Sequence, residues 1–162
     1  MKEAVIALGS NLLDREENLK TAIESLKRLP GTTVEAISSI YVTEPFLAPD
    51  KQDDHLNCCA KIKTELTPEA LLGCCLGIEA AMGKVRTYKN AARIIDIDLL
   101  LYEGVTLNTK YLALPHPGIK ERAFVMVPLS DLYPEKVALG LNFGAALEKV
   151  EANGVLFYKK EL

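Results

Sequence analysis

The chain has 162 residues, 49% hydrophobic and 25% charged, with a formal net charge of −3, the balance of a soluble globular domain with one core. No overall positive field draws it to nucleic acid or to an anionic membrane surface, and no apolar run reaches the ~20 residues that cross a bilayer. The apolar stretch after Met1 is too short for a secretory signal. The four cysteines fall as adjacent pairs, Cys58-Cys59 and Cys74-Cys75, without CxxC spacing. They read as small apolar residues in a reducing cytoplasm rather than as zinc ligands or disulfides.

Residues 3–8 predict a short strand that Gly9-Ser10-Asn11 closes. Asp14, with Glu17 three positions on, has the spacing of a capping box at a helix start. The apolar stripe Leu19, Ala22, Ile23, Leu26 and Leu29 then predicts an amphipathic helix that Pro30-Gly31 ends. Alternation over 33–43 predicts a single strand with Val34, Ala36, Ser38, Ile40 and Val42 on one face. A loop holding Pro45, Pro49 and several acids follows. A strand over 55–64 turns Leu56, Cys58, Ala60 and Ile62 inward, and Asn57, Cys59, Lys61 and Lys63 the other way. Thr67-Pro68 caps a second helix, whose buried stripe is Leu71, Cys75, Ile78 and Met82 and whose C′ residue is Gly83. The apolar run Ile94 to Tyr102 is a buried strand. The order β-α-β-β-α-β predicts an α+β, ferredoxin-like sandwich, an antiparallel sheet with both helices on one face. One domain is expected, with its core over 1–102. Residues 103–162 form a C-terminal elaboration with a hairpin around Gly104, a loop through Pro115-His116-Pro117 and short helices.

Chemistry concentrates in the last core strand. Asp96 and Asp98 are two apart, so both carboxylates project from one face, about 6.6 Å apart along the chain, while Ile95, Ile97 and Leu99 take the other. Flanked by apolar residues, the pair is awkward to leave exposed, and a divalent cation is the least costly partner for it. Just upstream, residues 84–93 hold Lys84, Arg86, Lys89 and Arg93 and no acid. Metal carboxylates beside a cationic loop point to a polyphosphate substrate. A P-loop is absent: Gly83-Lys84 is followed by Val85, and Ile78 occupies the first glycine position. Side-chain cations and metal must therefore hold the phosphates. Glu79 sits at the edge of its helix's apolar stripe, within reach of Arg86 or a ligand hydroxyl. His116 and Arg122 offer donor or cationic groups and Phe124 an aromatic face. Asn57 offers an amide able to read a heterocycle edge.

These residues together resemble the 6-hydroxymethyl-7,8-dihydropterin pyrophosphokinase family of folate biosynthesis. The resemblance rests on Gly9-Ser10-Asn11, Thr43-Glu44-Pro45, Leu56-Asn57, Glu79 with Gly83-Lys84-Val85-Arg86, Arg93-Ile94-Ile95-Asp96-Ile97-Asp98, Pro115-His116-Pro117, Arg122-Ala123-Phe124 and Pro128-Leu129. It implies transfer of pyrophosphate from ATP to the pterin hydroxymethyl group, with release of AMP. It also implies two Mg²⁺ ions on Asp96 and Asp98, and ATP contacts from Glu79, Arg86, Arg93, His116 and Arg122. Catalytic roles fall on Arg86, Arg93, Asp96 and Asp98. The pterin pocket is lined by Thr43, Pro45, Phe46, His55, Asn57 and Phe124. Several positions depart from the family pattern. Lys84 stands where an arginine is usual, Asn90-Ala91-Ala92 replaces aromatic-Gly-Pro, and His55 replaces an aromatic ring. The expected protein is a cytoplasmic enzyme acting on small molecules, without nucleic-acid or membrane partners; its sequence does not fix an oligomeric state, and a monomer is favoured. A non-catalytic ferredoxin-like regulator that binds a small ligand is the alternative.

Overall fold

The computed structural model describes residues 1–45, 48–85, 87–150, 152 and 154–162. β1 (Lys2–Ser10) is the spine of the fold. Its alternate residues Ala4, Ile6 and Leu8 are buried in one cluster with residues of two helices, α1 (Arg15–Lys27) and α2 (Pro68–Ala81). β1 runs antiparallel to β4 (His55–Thr64) on one side and to β5 (Asp96–Tyr102) on the other. β4 carries β2 (Thr32–Ile37) along one half of its outer edge and β3 (Ile40–Thr43) along the other. β10 (Leu156–Lys159) extends the sheet beyond β3, giving the order β10-β3-β4-β1-β5. The antiparallel, ferredoxin-like arrangement expected from the element order is the one observed.

The helices begin where their caps dictate. Asp14 accepts the Glu17 N–H at 3.1 Å, and Thr67 Oγ1 accepts the Ala70 N–H at 3.2 Å ahead of Pro68. Both caps satisfy amides that a helix start leaves without intrahelical partners. Leu19, Ala22, Ile23 and Leu26 of α1, and Leu71, Cys75 and Ile78 of α2, are buried as the periodicity predicts.

The segment 33–43 is not the single strand its alternation suggests. It breaks at Ser38-Ser39, where Ser38 donates its N–H to the Cys59 carbonyl and accepts the Cys59 N–H on Oγ, each at 2.9 Å. A register shift between Val34 and Ala36 leaves Ala36 exposed rather than inward. β5 starts at Asp96, two residues later than the apolar run.

The opposite face of the sheet is packed by the C-terminal elaboration. Val5, Cys59 and Leu100 meet Val125, Met126 and Leu129 of α3 (Ala123–Leu132), together with Phe143. Gly104 turns the chain at φ +70°, but no β5 hairpin forms there. Instead β6 (Leu107–Asn108) pairs with β7 (Ala113–Leu114). A 3₁₀ turn (Ile119–Glu121), the pair β8 (Val137–Ala138) and β9 (Leu141–Asn142), and α4 (Gly144–Lys149) complete this layer. Toward the Gly9 end of the same face, the apolar side chains give way to Asn57, Asp96 and Asp98.

Phe143 is completely buried against both β1 and β5 residues, so the elaboration and the core share one interior. Phe143→Ala is expected to cost about 3–5 kcal/mol. Urea unfolding followed by both circular dichroism and fluorescence should still show one coincident transition. Two separated transitions would mean that residues 103–162 fold as an independent unit.

Candidate active site

Strand register builds the site. Gly9 lies between Asn57 on β4 and Asp96 on β5, and Ala7 lies between Cys59 and Asp98. Two strand spacings separate Asn57 from Asp96 by about 10 Å, with no side chain on the residue between them. A Cβ at Gly9 would come 3.0 Å from Asn57 Oδ1, so the glycine leaves that amide its space. Asn57 Nδ2 donates to Thr43 Oγ1 at 2.9 Å, and Thr43 pairs with His55 across the β3–β4 ladder. Thr43, His55 and Asn57 therefore gather at one end of the face. Pro45 is half-buried two residues beyond Thr43. Phe46 and Arg86 lie outside the described residues.

Asp96 and Asp98 project from β5 opposite the buried Ile97 and Leu99, but their settings differ. Lys84 Nζ lies 2.7 Å from Asp96 Oδ1 and 2.8 Å from Glu79 Oε2. Arg93 Nε lies 2.8 Å from Asp96 Oδ2. The Arg93 N–H is not directed at that oxygen, so this contact is an ion pair without a well-formed hydrogen bond. Both oxygens of Asp96 thus face cations. Burial works to lower the Lys84 pKa, and its hydrogen bonds to Asp96 and Glu79 outweigh that, raising it and keeping the ammonium charged. Glu79 is not a rim residue. It is buried and accepts the Ile97 N–H at 2.8 Å as well as the Lys84 ammonium, which ties α2 to β5.

Asp98 is the open member. Among the described residues no cation forms an ion pair with it, and it is exposed toward solvent. Enough protein crowds it that desolvation, reinforced by the Asp96 charge, raises its pKa above the ordinary carboxyl value, while His116, Lys84 and Arg122 pull the other way. His116 Nδ1 accepts the Gly118 N–H at 3.0 Å, so the neutral ring carries its proton on Nε2. Burial lowers the His116 pKa, opposed by Asp98 and aided by Arg122. The Arg122 guanidinium carbon lies 6.0 Å from the Phe124 ring centroid. The start of α3 is held to the sheet where Cys59 Sγ meets the Val125 carbonyl at 3.8 Å, two residues along β4 from Asn57. His55 is half-buried, and burial together with Arg93 lowers its pKa against the pull of Asp96.

Two loops bound the cleft, and Asn11 joins them. Its Nδ2 donates to Gln52 Oε1 at 3.0 Å, and its Oδ1 accepts the Arg93 N–H at 2.8 Å. Gln52 Nε2 reaches the Asn90 carbonyl at 2.9 Å, and Tyr88 donates its hydroxyl proton to Asp50. A cavity of about 430 Å³, lined by Lys84, Tyr88, Lys89, Asn90 and Arg93 among others, opens beside these groups. That volume is in the range of small-molecule sites. The Gly9-Ser10-Asn11 motif marked Asn11, whereas nothing in the sequence singled out Gln52 or Tyr88, whose role depends on two loops meeting.

The model of the 7,8-dihydro-6-hydroxymethylpterin-pyrophosphokinase (HPPK) family matches residues 5–134. The chain belongs to the HPPK family. The 2-amino-4-hydroxy-6-hydroxymethyldihydropteridine pyrophosphokinase of Methylorubrum extorquens is 44% identical to it, over 96% of this chain and 98% of that one. The Bacillus subtilis protein of the same name is 40% identical, over 80% of this chain and 77% of that one. The solved HPPK-DHPS of Plasmodium falciparum with SDX-DHP shares the fold, with a TM-score of 0.68 at 17% identity. That likeness covers 92% of this chain and 43% of the longer one. On the site's sheet face, this HPPK-family chain carries Asp96 and Asp98 as a pair of neighbouring acidic side chains. Among the described residues no group of three His, Cys, Asp or Glu clusters as a ready-made cage.

The raised Asp98 pKa makes a stability prediction. The folded state holds the proton more tightly than the unfolded chain, so stability from this group is full below the unfolded value of 3.8 and is lost as pH rises through the higher folded value. Ionised Asp98 therefore subtracts from stability at neutral pH. Asp98→Asn is expected to stabilise the fold at pH 7 in metal-free buffer by less than about 1 kcal/mol after solvent screening, read as a higher Tm, with the gain vanishing near pH 3. A lower Tm for the variant at pH 7 would refute the assignment.

Proposed function

We infer that this HPPK-family chain transfers pyrophosphate from ATP to the hydroxymethyl group of 6-hydroxymethyl-7,8-dihydropterin and releases AMP, a step of folate biosynthesis. The observation that carries the inference is a single sheet face with an amide at one end and, at the other, an aspartate pair of which Asp96 is held by two cations. The substrate hydroxyl oxygen attacks the β-phosphorus, and the bond from that phosphorus to the α–β bridging oxygen breaks as AMP leaves. Asp98, exposed and without an ion-pair partner among the described residues, is the proton acceptor for the hydroxyl. Such transfer depends on positioning and charge neutralisation more than on covalent catalysis.

Asn57 and Thr43 read the heterocycle edge, and Phe124, His55, Pro45 and Phe46 enclose the ring. Arg93, Arg86, His116 and Arg122 meet the phosphates, with Arg93 and Arg86 on the transferred group. Two Mg²⁺ ions fit the donor set, because magnesium is commonly held by one or two carboxylates completed by phosphate and water. Bound there, they neutralise the triphosphate and polarise the hydroxyl. Lys84, part of the cationic loop, rests between Asp96 Oδ1 and Glu79 Oε2, so its ammonium would have to leave Asp96 for that oxygen to help hold an ion. Glu79, doubly engaged, orients Lys84 and β5 and reaches ATP through them. The enzyme works as a cytoplasmic monomer on small molecules, without nucleic acid. Among the described residues no helix is long and apolar enough to cross a membrane. The non-catalytic regulator has no observation in its favour.

With Mg²⁺ and ATP, AMP should form only when hydroxymethyldihydropterin is present. Absence of AMP from well-folded protein would end this reading. Asp96→Ala and Asp98→Ala should each lower kcat on the order of 10³-fold while keeping the circular dichroism spectrum. A near-normal rate in either would remove that aspartate from the metal site.

A further inference from the structure

Gly118 has no assigned role, yet it touches two residues of the nucleotide end. Its backbone is ordinary right-handed, φ −89° and ψ −3°, a conformation open to every residue type. Glycine is therefore not required there by the turn. What sets it apart is space. A Cβ at Gly118 would stand 2.9 Å from both Cζ and Nε of Arg122, and 3.3 Å from Nη1. Real Cβ contacts do not come that close, so a side chain at this position forces the guanidinium to shift from its seat. The Phe124 ring, its centroid 6.0 Å from Cζ, faces the same group. Gly118 also donates its N–H to His116 Nδ1 at 3.0 Å. The seat thus lies beside His116, and Asp98 feels the charges of both residues.

We propose that Gly118 is a positioning residue: the absence of its side chain seats the Arg122 guanidinium over its backbone next to His116, ready for the nucleotide phosphates. This rests on the diphosphokinase reading above and deepens it. Arg122 as a whole is exposed, and a long exposed arginine ordered only on binding would pay for its lost rotamer freedom at that moment. The slot between the Gly118 backbone and the Phe124 ring limits that loss beforehand. Displacement is cheap for the fold, because the clashing atoms are the far end of a flexible side chain.

The experiment is a double-mutant cycle read by binding of the magnesium complex of a non-hydrolysable ATP analogue. Gly118→Ala should keep its thermal transition and bind the analogue on the order of tenfold more weakly, the loss expected for one charge-assisted contact. In an Arg122→Ala background, adding Gly118→Ala should change affinity by less than twofold, because the group it displaces is gone. Three results would overturn the proposal: wild-type affinity in Gly118→Ala, the same loss in both backgrounds, or unfolding of Gly118→Ala, which would make the glycine a packing requirement. If the wild-type protein itself fails to bind the analogue, the diphosphokinase reading falls and this inference with it.

Discussion

Two carboxylates on one strand face repel each other, and the arrangement of the whole site follows from how that repulsion is answered. Here the answer is unequal. Asp96 is flanked by the Lys84 ammonium and the Arg93 guanidinium, while among the described residues Asp98 has no ion pair and feels the longer-range pull of His116, Lys84 and Arg122. One ammonium therefore links the end of α2, the loop after it and β5, because Lys84 holds Glu79 and Asp96 together. Partly buried ion pairs of this kind do little for net stability, since desolvation offsets most of the attraction. Their value lies in geometry, and in presenting one aspartate already neutralised and one still open.

The identity of the bridging cation matters. An ammonium is a compact point charge with three donors that can divide itself between two carboxylates. A guanidinium offers a planar fork best matched to one. Lysine at position 84 keeps the charge expected of this family while permitting the bridge between Glu79 and Asp96. His55 is a comparable departure. Burial and Arg93 hold its pKa below the ordinary histidine value, so at neutral pH it presents an uncharged ring beside Thr43 and Asn57, suited to an apolar heterocycle face.

Distance across the sheet separates the two halves of the cleft. Gly9 and Ala7, small residues toward the C-terminal end of β1, leave a shallow trough between Asn57 on one side and the aspartates on the other. Asn11, just past the end of β1, uses its amide to tie the loop carrying Gln52 to the backbone at Arg93. The strand that floors the trough thus also continues into the residue that gathers both of its walls.

Much of this was legible in the residue order. Periodicity placed both helices and the long strands, Asp14 and Thr67-Pro68 marked the helix starts, and the i, i+2 spacing put Asp96 and Asp98 on one face, because these features depend only on local geometry. The break at Ser38-Ser39 was not legible, since alternation continues through it and only the hydrogen bonds to Cys59 interrupt the strand. Nor was the partner of Lys84, the burial of Glu79, or the slot at Gly118. Each of these is a contact between groups whose separation is set by how helices, loops and strands pack together. Sequence by itself determined the fold class, the family and the acidic pair. Tertiary packing alone decided which aspartate is neutralised and which stays open, because a charge's partner is chosen by proximity in space and not along the chain.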